Sequence, residues 1–364
     1  MQEQNKIRRV WFITDTHFGV KNSSNEWIEI MRDYFFDWFI PLVQSNYKPG
    51  DILFHLGDVY DSRQSINIKV LNLSVSIFEK LSEIFTDGIY IIAGNHDLWG
   101  NVSNEINSLK TLKWIPNINI LEEPETLLFG SRKFLMMPWR RDHQVESDFL
   151  DTSDPHDVLC CHADIRGLSF NRFTRVEAGS SVEKFDKFKR VYSGHIHYSQ
   201  KLGNITMLGS PYEITRSDMD NSKGVTLLDI ESLEETYFKN EFSPKFKRFY
   251  FDQILDSTPD ELEPQFRNNF VDIMIDPVMS LKAPLNQLTD ILQSQKSIKF
   301  HPYDPDQANS LSQQIIDVEG RQFNVLDFIK EYVHNMDEDD STKDKMYQSL
   351  VKLHSIVTLQ GQEK

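Results

Sequence analysis

Five apolar runs in this 364-residue chain each end in a short polar motif, and that repeated pairing limits the folds open to it. Val10 to Ile13 runs into Asp15-Thr16-His17, and Ile52 to Leu56 runs into Gly57-Asp58. Ile89 to Ala93 leads to Gly94-Asn95-His96-Asp97, Val158 to Cys161 leads to His162, and Val191 to Ser193 leads to Gly194-His195-Ile196-His197. Short apolar runs bounded by turn formers read as strands of an internal sheet. In open α/β sheets the ligand crevice lies outside the carboxyl ends of the strands. Side chains scattered from Asp15 to His197 would therefore converge. Their carboxylates, amide and imidazoles form an N/O ligand set suited to two divalent cations.

One such motif carries little information. An isolated Asp-x-His is commonly a capped turn, and a Gly-Asp after a strand is commonly just a turn. Gly94-Asn95 is sharper, because Gly and Asn together mark a tight turn that aims the next side chain. His195 and His197 share one side of an extended backbone, since residues i and i+2 do. A purely structural explanation must account for all five motifs, in order, each at a strand end. A dinuclear phosphoesterase centre accounts for them together.

In this order the motifs are the signature of the calcineurin-like metallophosphoesterase superfamily. Within it the chain resembles the SbcD family, nuclease subunits of double-strand-break repair complexes, and most of all the recombination-nuclease subunits of large bacteriophages. The resemblance rests on motifs over roughly residues 7 to 245 and only on architecture beyond them. It implies an α/β fold: a four-layer α/β/β/α sandwich with a small α+β capping domain and C-terminal helices. It implies one cation held by Asp15, His17, Asp58 and His197, and a second by Asp58, Asn95, His162 and His195, with Asp58 as the bridge. His96 matches the family's catalytic histidine, which is not a ligand. Many members carry a histidine three residues after the bridging aspartate, where this chain has Asp61. An ion pair between Asp61 and Arg63 that stiffens the loop is the expectation there.

Composition sets the setting. Hydrophobic residues at 39% and aromatics at 12% support a substantial core. Met1 to Arg9 is polar and leads straight into the first strand, and no apolar run approaches a membrane span. The two cysteines, Cys160 and Cys161, are adjacent in a strand and point to opposite faces, so they are no disulfide framework. A cytoplasmic protein is expected, in the host cytoplasm if the chain is phage-encoded. A net charge of −16 would repel DNA at long range. Against it stands a basic stretch from Asp164 to Arg190, with seven basic and four acidic residues, 7 − 4 = +3. It contains Arg166, Arg172 and Arg175, the candidate DNA contacts, together with Phe170 and Phe173.

Helical patterns over Glu26 to Gln44, Ser65 to Phe85, Val102 to Leu112 and Ser181 to Lys189 alternate with the strands. The expected domains are a nuclease core over 1–245, a capping domain for DNA over 246–300, a linker over 301–322 and a helical module over 323–364. Val325 to Met336 and Met346 to Val357 form two amphipathic stripes in that last segment. Composition alone favours their folding back on the core, whereas the resemblance implies that they hold an SMC-like ATPase subunit of the SbcC type. Ile68 and Val75, read as lying opposite the buried face of the Ser65–Phe85 helix, suggest a homodimer within a heterotetramer.

The expected function is an Mn²⁺-dependent DNA nuclease, a double-strand 3′→5′ exonuclease with single-strand endonuclease activity. It would act with the ATPase partner in DNA end processing, recombination and repair. Mn²⁺ is the preferred cation, though the ligand set does not exclude Mg²⁺, Fe²⁺ or Zn²⁺. The competing readings are a stand-alone metallophosphatase or cyclic-nucleotide phosphodiesterase with the same centre, and a scaffold with a vestigial one.

Overall fold

Consecutive residues of the first strand, β1 (Arg9–Ile13), are buried on opposite sides: Val10 and Phe12 in one apolar cluster, Trp11 and Ile13 in another. A strand can do this only when its sheet is covered on both faces. The structure, a computed structural model, describes residues 7–99, 105–250, 254, 257–275, 298–302, 343 and 347. The chain divides into two compact units, and the side-chain packing given below is internal to the first, Met1–Ile273 with Pro284–Phe300; of the strand residues given below, only 274–275 and 301–302 belong to the second.

The following strands are β2 (Asp51–His55), β3 (Ile89–Ile92), β4 (Ile118–Leu121), β5 (Glu125–Phe129), β6 (Arg132–Met137) and β7 (Val158–His162). Then come the two-residue strands β8 (Ile165–Arg166) and β9 (Ser180–Ser181), followed by β10 (Arg190–Gly194), β11 (Gln200–Leu202), β12 (Ile205–Met207), β13 (Gly224–Asp229) and β14 (Glu235–Lys239). One six-stranded sheet has the order β14-β13-β1-β2-β3-β4, with β1, β2, β3 and β4 parallel. The other has the order β11-β12-β10-β7-β6-β5, with β6, β7, β10 and β12 parallel.

The sheets face each other across Val10, Phe12, Ile52 and Phe54 on one side and Phe134, Met136, Val158, Cys160 and Tyr192 on the other. Phe12 stacks on Tyr192 with ring centroids 4.4 Å apart. Each fully buried side chain of this size contributes about 1.5–3 kcal/mol, and truncating Phe54 to alanine would cost roughly 3–5 kcal/mol. Outside the first sheet lie Trp27, Met31, Val70, Ile77 and Phe78 from its helices; outside the second lie Leu150 and Phe185. The result is the four-layer α/β/β/α sandwich. Cys160 packs between the sheets and Cys161 beyond the second one, on opposite faces as the alternation requires.

The helical segment after β1 is continuous but not uniform. Asn25–Asp33 is α-helical with Ser24 accepting from Trp27 N, Tyr34–Phe39 is a π-helix, and Ile40–Asn46 is α-helical again. The Ile68–Ile84 helix starts at Asn67, whose side chain caps Lys69 N at 2.9 Å. Its expected second apolar strip is absent: Ile68 is 76% exposed, but Val75 packs against the main core. Two helices read from the sequence are single 3₁₀ turns in the described residues, Ser108–Thr111 and Val182–Phe185. A helix that was not read, His143–Thr152, covers the second sheet.

Beyond the sandwich, β15 (Phe246–Tyr250), β16 (Phe270–Ile275) and β17 (Ile298–Pro302) form a three-stranded sheet. Phe270 stacks between Phe246 (4.9 Å) and Trp27 (5.5 Å), and Arg216 forms a two-pronged ion pair with Asp272. The expected helix at 281–293 lies outside the described residues. Of the expected linker over 301–322 only residues 301 and 302 are described, and they continue β17 rather than a linker; of the two C-terminal stripes only residue 347 is described.

Candidate metal centre

The motif residues leave their strands through turns that side chains normally avoid. Asp15, His17, Asp58 and His195 have φ of 50°, 46°, 53° and 83°. Left-handed conformations at non-glycine residues cost of order 1 kcal/mol or more each and persist where surroundings over-determine them. Here Asp15 N donates to Gly57 O and His17 N to Asp58 O, both at 3.0 Å, lacing the loop after β1 to the loop after β2. Buried Asp97 ties that loop to the one after β3, accepting from Tyr60 N (3.1 Å), Gly94 N (3.0 Å) and Val59 N (3.3 Å). A Cβ at Gly94 would run into the Asp58 carboxylate and backbone, which explains the glycine before Asn95.

Side chains able to hold a cation meet over these loops in three overlapping groups, the third being His17, Asp58 and His96. Asp15, His17 and His197 form the first, and Asp58, His162 and His195 the second. In the first, His17 Nε2 and His197 Nε2 face each other at 3.0 Å. Asp15 is fixed because both its oxygens accept from His195 N, at 3.0 and 3.1 Å. The second ring nitrogen of His17, Nδ1, lies 3.2 Å from Asp61 Oδ1, within ion-pair reach though outside hydrogen-bond geometry. Asp61 therefore serves His17 and not Arg63, which corrects the ion pair expected from sequence.

In the second group, His162 Nε2 and His195 Nδ1 converge on Asn95 Oδ1 at 3.0 and 2.9 Å. His162 Nδ1 donates to Leu56 O at 2.7 Å, which leaves Nε2 with its lone pair. His195 Nε2 is 2.9 Å from Asp164 Oδ1, and its ring stacks on Trp139 at 4.7 Å. Asp58 stands between the groups. His96 N donates to its Oδ1 at 2.8 Å, while Oδ2 lies 3.6 Å from His17 Nε2 and 3.4 Å from His162 Nε2. One oxygen, Oδ2, thus faces both groups.

These residues fit a pair of divalent cations on grounds of lone-pair direction. Hydrogen bonding alone would favour the opposite Asn95 orientation, with the amide nitrogen donating to both imidazoles and to Asp58 and the oxygen accepting from Arg63. In either orientation His162 Nε2 and His195 Nδ1, their other ring nitrogens engaged by Leu56 O and Asp164, turn lone pairs toward the Asn95 amide, and two imidazoles aimed at one point suit a cation. Without a cation, protons supply the positive charge. Burial works against a charge on His17, but Asp61, Asp58 and Asp15 outweigh it and hold its pKa up at about 9. His162 is likewise held at about 9 by Asp58 and Asp15 against burial. Burial also opposes ionisation of Asp58, yet His162 and His17 keep it far below the carboxylate range. His197 goes the other way, to about 3, through burial and the charge on His17. Burial and the Asp58 charge push Asp97 up to about 7.

His96 clusters with His17 and Asp58: its ring packs edge-to-face on His17 with centroids 4.7 Å apart, and its backbone N holds Asp58 Oδ1. Its Nδ1 is 2.6 Å from Asp61 O, a carbonyl that can only accept, so Nδ1 carries the proton and Nε2 is the open atom. Arg166, Arg172 and Arg175 are exposed on the surface past β7. The sequence reading passed over Asp164, Trp139 and the buried Lys223–Asp218 pair, whose Nζ also donates to His197 O at 2.6 Å. Asp164 had a signal, since it follows His162 by two residues; the other two had none.

The calcineurin-like phosphoesterase family model matches residues 8–199. The chain is 25% identical over 230 residues to exonuclease subunit 1 of Enterobacteria phage T4, covering 62% of this chain and 66% of that relative's length. A solved archaeal phosphodiesterase aligns with 15% identity over 64% of this chain and 99% of its own, at a TM-score of 0.33. A protein of unknown function from Aquifex aeolicus aligns with 19% identity over 50% of this chain and 93% of its own, at 0.25. The family match spans more than half of the chain, all five strand-end motifs included, and the chain belongs to the calcineurin-like phosphoesterase family.

Proposed function

We propose that this protein is a metal-dependent DNA nuclease that hydrolyses phosphodiesters at the centre formed by Asp15, His17, Asp58, Asn95, His162, His195 and His197. The observation that carries the reading is Asp58 Oδ2 facing an imidazole from each group, with acceptor atoms converging on either side. His17, His197 and Asp15 would hold one cation and Asn95, His162 and His195 the other, with Asp58 between. When bound, the cations neutralise phosphate charge and lower the pKa of water at the site. Mn²⁺ is the preferred metal.

The chain's own groups do the rest. Leu56 O and Asp164 turn the coordinating nitrogens of His162 and His195 toward the site before any ligand arrives. Trp139 walls off one face of His195 from water. His96 presents Nε2 with its ring locked by Asp61 O, so that once protonated it donates to a non-bridging phosphate oxygen or to the leaving 3′ oxygen.

The similarity to a phage exonuclease subunit supports DNA over a small phosphomonoester, and a multisubunit assembly; an SMC-like ATPase partner and a homodimer are carried by the family resemblance alone. Among the described residues no helix is long and apolar enough to cross a membrane. The test is direct: with Mn²⁺ the protein should degrade a double-stranded oligonucleotide far faster than p-nitrophenyl phosphate, and should co-purify with the ATPase. Preference for the monoester would favour the stand-alone phosphatase reading.

A further inference from the structure

Past β7 the chain makes a short hairpin, residues 167–176, that the metal centre does not use. Its limbs pair from Gly167 N to Val176 O (2.9 Å) and from Val176 N to Leu168 O (2.8 Å), with a bridge between Ser169 and Arg175. Leu168 and Val176 anchor its base in the core outside the second sheet. At the tip the buried Asn171 accepts from Phe173 N and Thr174 N at 2.8 and 3.0 Å, a side-chain turn that fixes the backbone. The tip is therefore rigid, yet Phe170 and Phe173 are 53% and 56% exposed. Their rings contribute little to the core that the hairpin's base fills.

The hairpin is also basic. Residues 166–177 carry Arg166, Arg172 and Arg175 against Glu177, 3 − 1 = +2, in a chain of net charge −16. The Arg172 guanidinium lies 4.8 Å over the Phe173 ring and reaches the exposed Asp220 at 3.2 Å. Arg166 and Arg175 each give one hydrogen bond to a backbone carbonyl, Gly179 O and Gly167 O, out of five N–H donors per guanidinium. The hairpin is tied to β11, the strand that follows the His195–His197 turn: Ser169 exchanges two hydrogen bonds with Gln200 at 2.9 and 2.6 Å.

Exposed rings flanked by guanidinium groups match a ligand that offers flat π-faces and phosphates together. A duplex buries its base faces, leaving the rings nothing to stack on, whereas a single strand presents both. A second copy of this chain would set +2 against +2 in a two-fold contact. We propose that the 167–176 hairpin is a platform for unpaired nucleobases, with Phe170 and Phe173 stacking on them and the arginines gripping the flanking phosphates. It rests on the DNA reading above and adds a single-stranded segment as the species held beside the centre.

The probe is a single-stranded oligonucleotide carrying 2-aminopurine, bound in chelator so that no cleavage occurs. The wild-type protein should quench its fluorescence. F170S/F173S should lose the quenching and bind the strand roughly tenfold or more weakly, with an unchanged unfolding temperature and metal content. R172A/R175A should flatten the dependence of affinity on salt. Equal quenching and affinity in F170S/F173S would overturn the proposal, as would a change confined to self-association in sedimentation. Mn²⁺-dependent cleavage of duplex DNA by the wild type, measured separately, reports on the nuclease reading, so the two failures are distinguishable.

Discussion

The two sides of the centre are held by different means. On the Asn95 side, His162 leans on a backbone carbonyl inside a parallel sheet, and His195 is hydrogen-bonded to Asp164 and stacked on Trp139. On the Asp15 side, His17 leans on Asp61, a loop carboxylate whose side chain is 32% exposed and which meets Nδ1 without hydrogen-bond geometry. One side is oriented by a backbone carbonyl, a hydrogen-bonded carboxylate and ring packing, the other by a carboxylate that meets its histidine outside hydrogen-bond geometry. The Asn95 side should therefore bind its cation more tightly and less sensitively to salt.

Asp58 is the one group both sides share, so its removal should erase the difference between them. Asp58→Ala is expected to lose both cations and to lower phosphodiester hydrolysis by about 10³-fold or more, while the chain stays folded. Elemental analysis after gel filtration checks it, and near-normal Mn²⁺-dependent turnover would remove Asp58 from the assignment. His96→Asn should leave both cations in place and lower kcat by about 10²–10⁴-fold. Loss of one cation in that variant would make His96 a ligand.

The sharpest comparison pairs Asp61→Asn with Asp164→Asn. Each should weaken one cation by about 10–100-fold, Asp61→Asn on the looser side and Asp164→Asn on the tighter. Calorimetric titration with Mn²⁺ should resolve two affinities in the wild type and shift a different one in each variant. A common shift in both would mean that the sides do not differ as described.

A smaller effect is expected from pH. In the metal-free protein His17 and His162 titrate near 9, so at pH 7 both carry protons that a cation must displace. Mn²⁺ affinity should rise with pH up to about 9, by at most about tenfold per proton per unit, with heats that depend on the buffer. The sign for stability is opposite. A folded pKa raised above the unfolded value of about 6.5 stabilises the metal-free fold fully below that value, and the contribution fades as pH climbs through 9. Thermal unfolding in chelator at pH 6 and pH 9.5 measures it.

Much of this was legible because strand ends announce themselves. The five strand-end turns that carry the proposed ligands needed only short apolar runs and Gly or Asn, which are local signals. Helices with weak local signals were not legible. His143–Thr152 presents Leu150 to the core but leaves Val145 exposed, so its pattern is no clear stripe. Residues 181–189 have helical spacing yet curl into a 3₁₀ turn that puts Phe185 and Phe188 in the core. Asp61 was noticed but matched to the wrong neighbour, because sequence distance favoured Arg63 while the fold brought His17 closer. No pattern could have placed Trp139 against His195, since that contact exists only once the two segments meet in three dimensions.

The ligand loops hang from two sheets: three follow β1, β2 and β3, and two follow β7 and β10. Asp15 and the backbone of His195 bond across 180 positions of chain. During synthesis the early loops emerge long before their counterparts, and neither sheet alone carries a full set of groups. On the proposed centre, a chain lacking β10 would hold neither His195 nor His197, and so neither complete group of ligands, until the second sheet is in place. Under that proposal, completion of the sandwich would be a safety catch on hydrolysis.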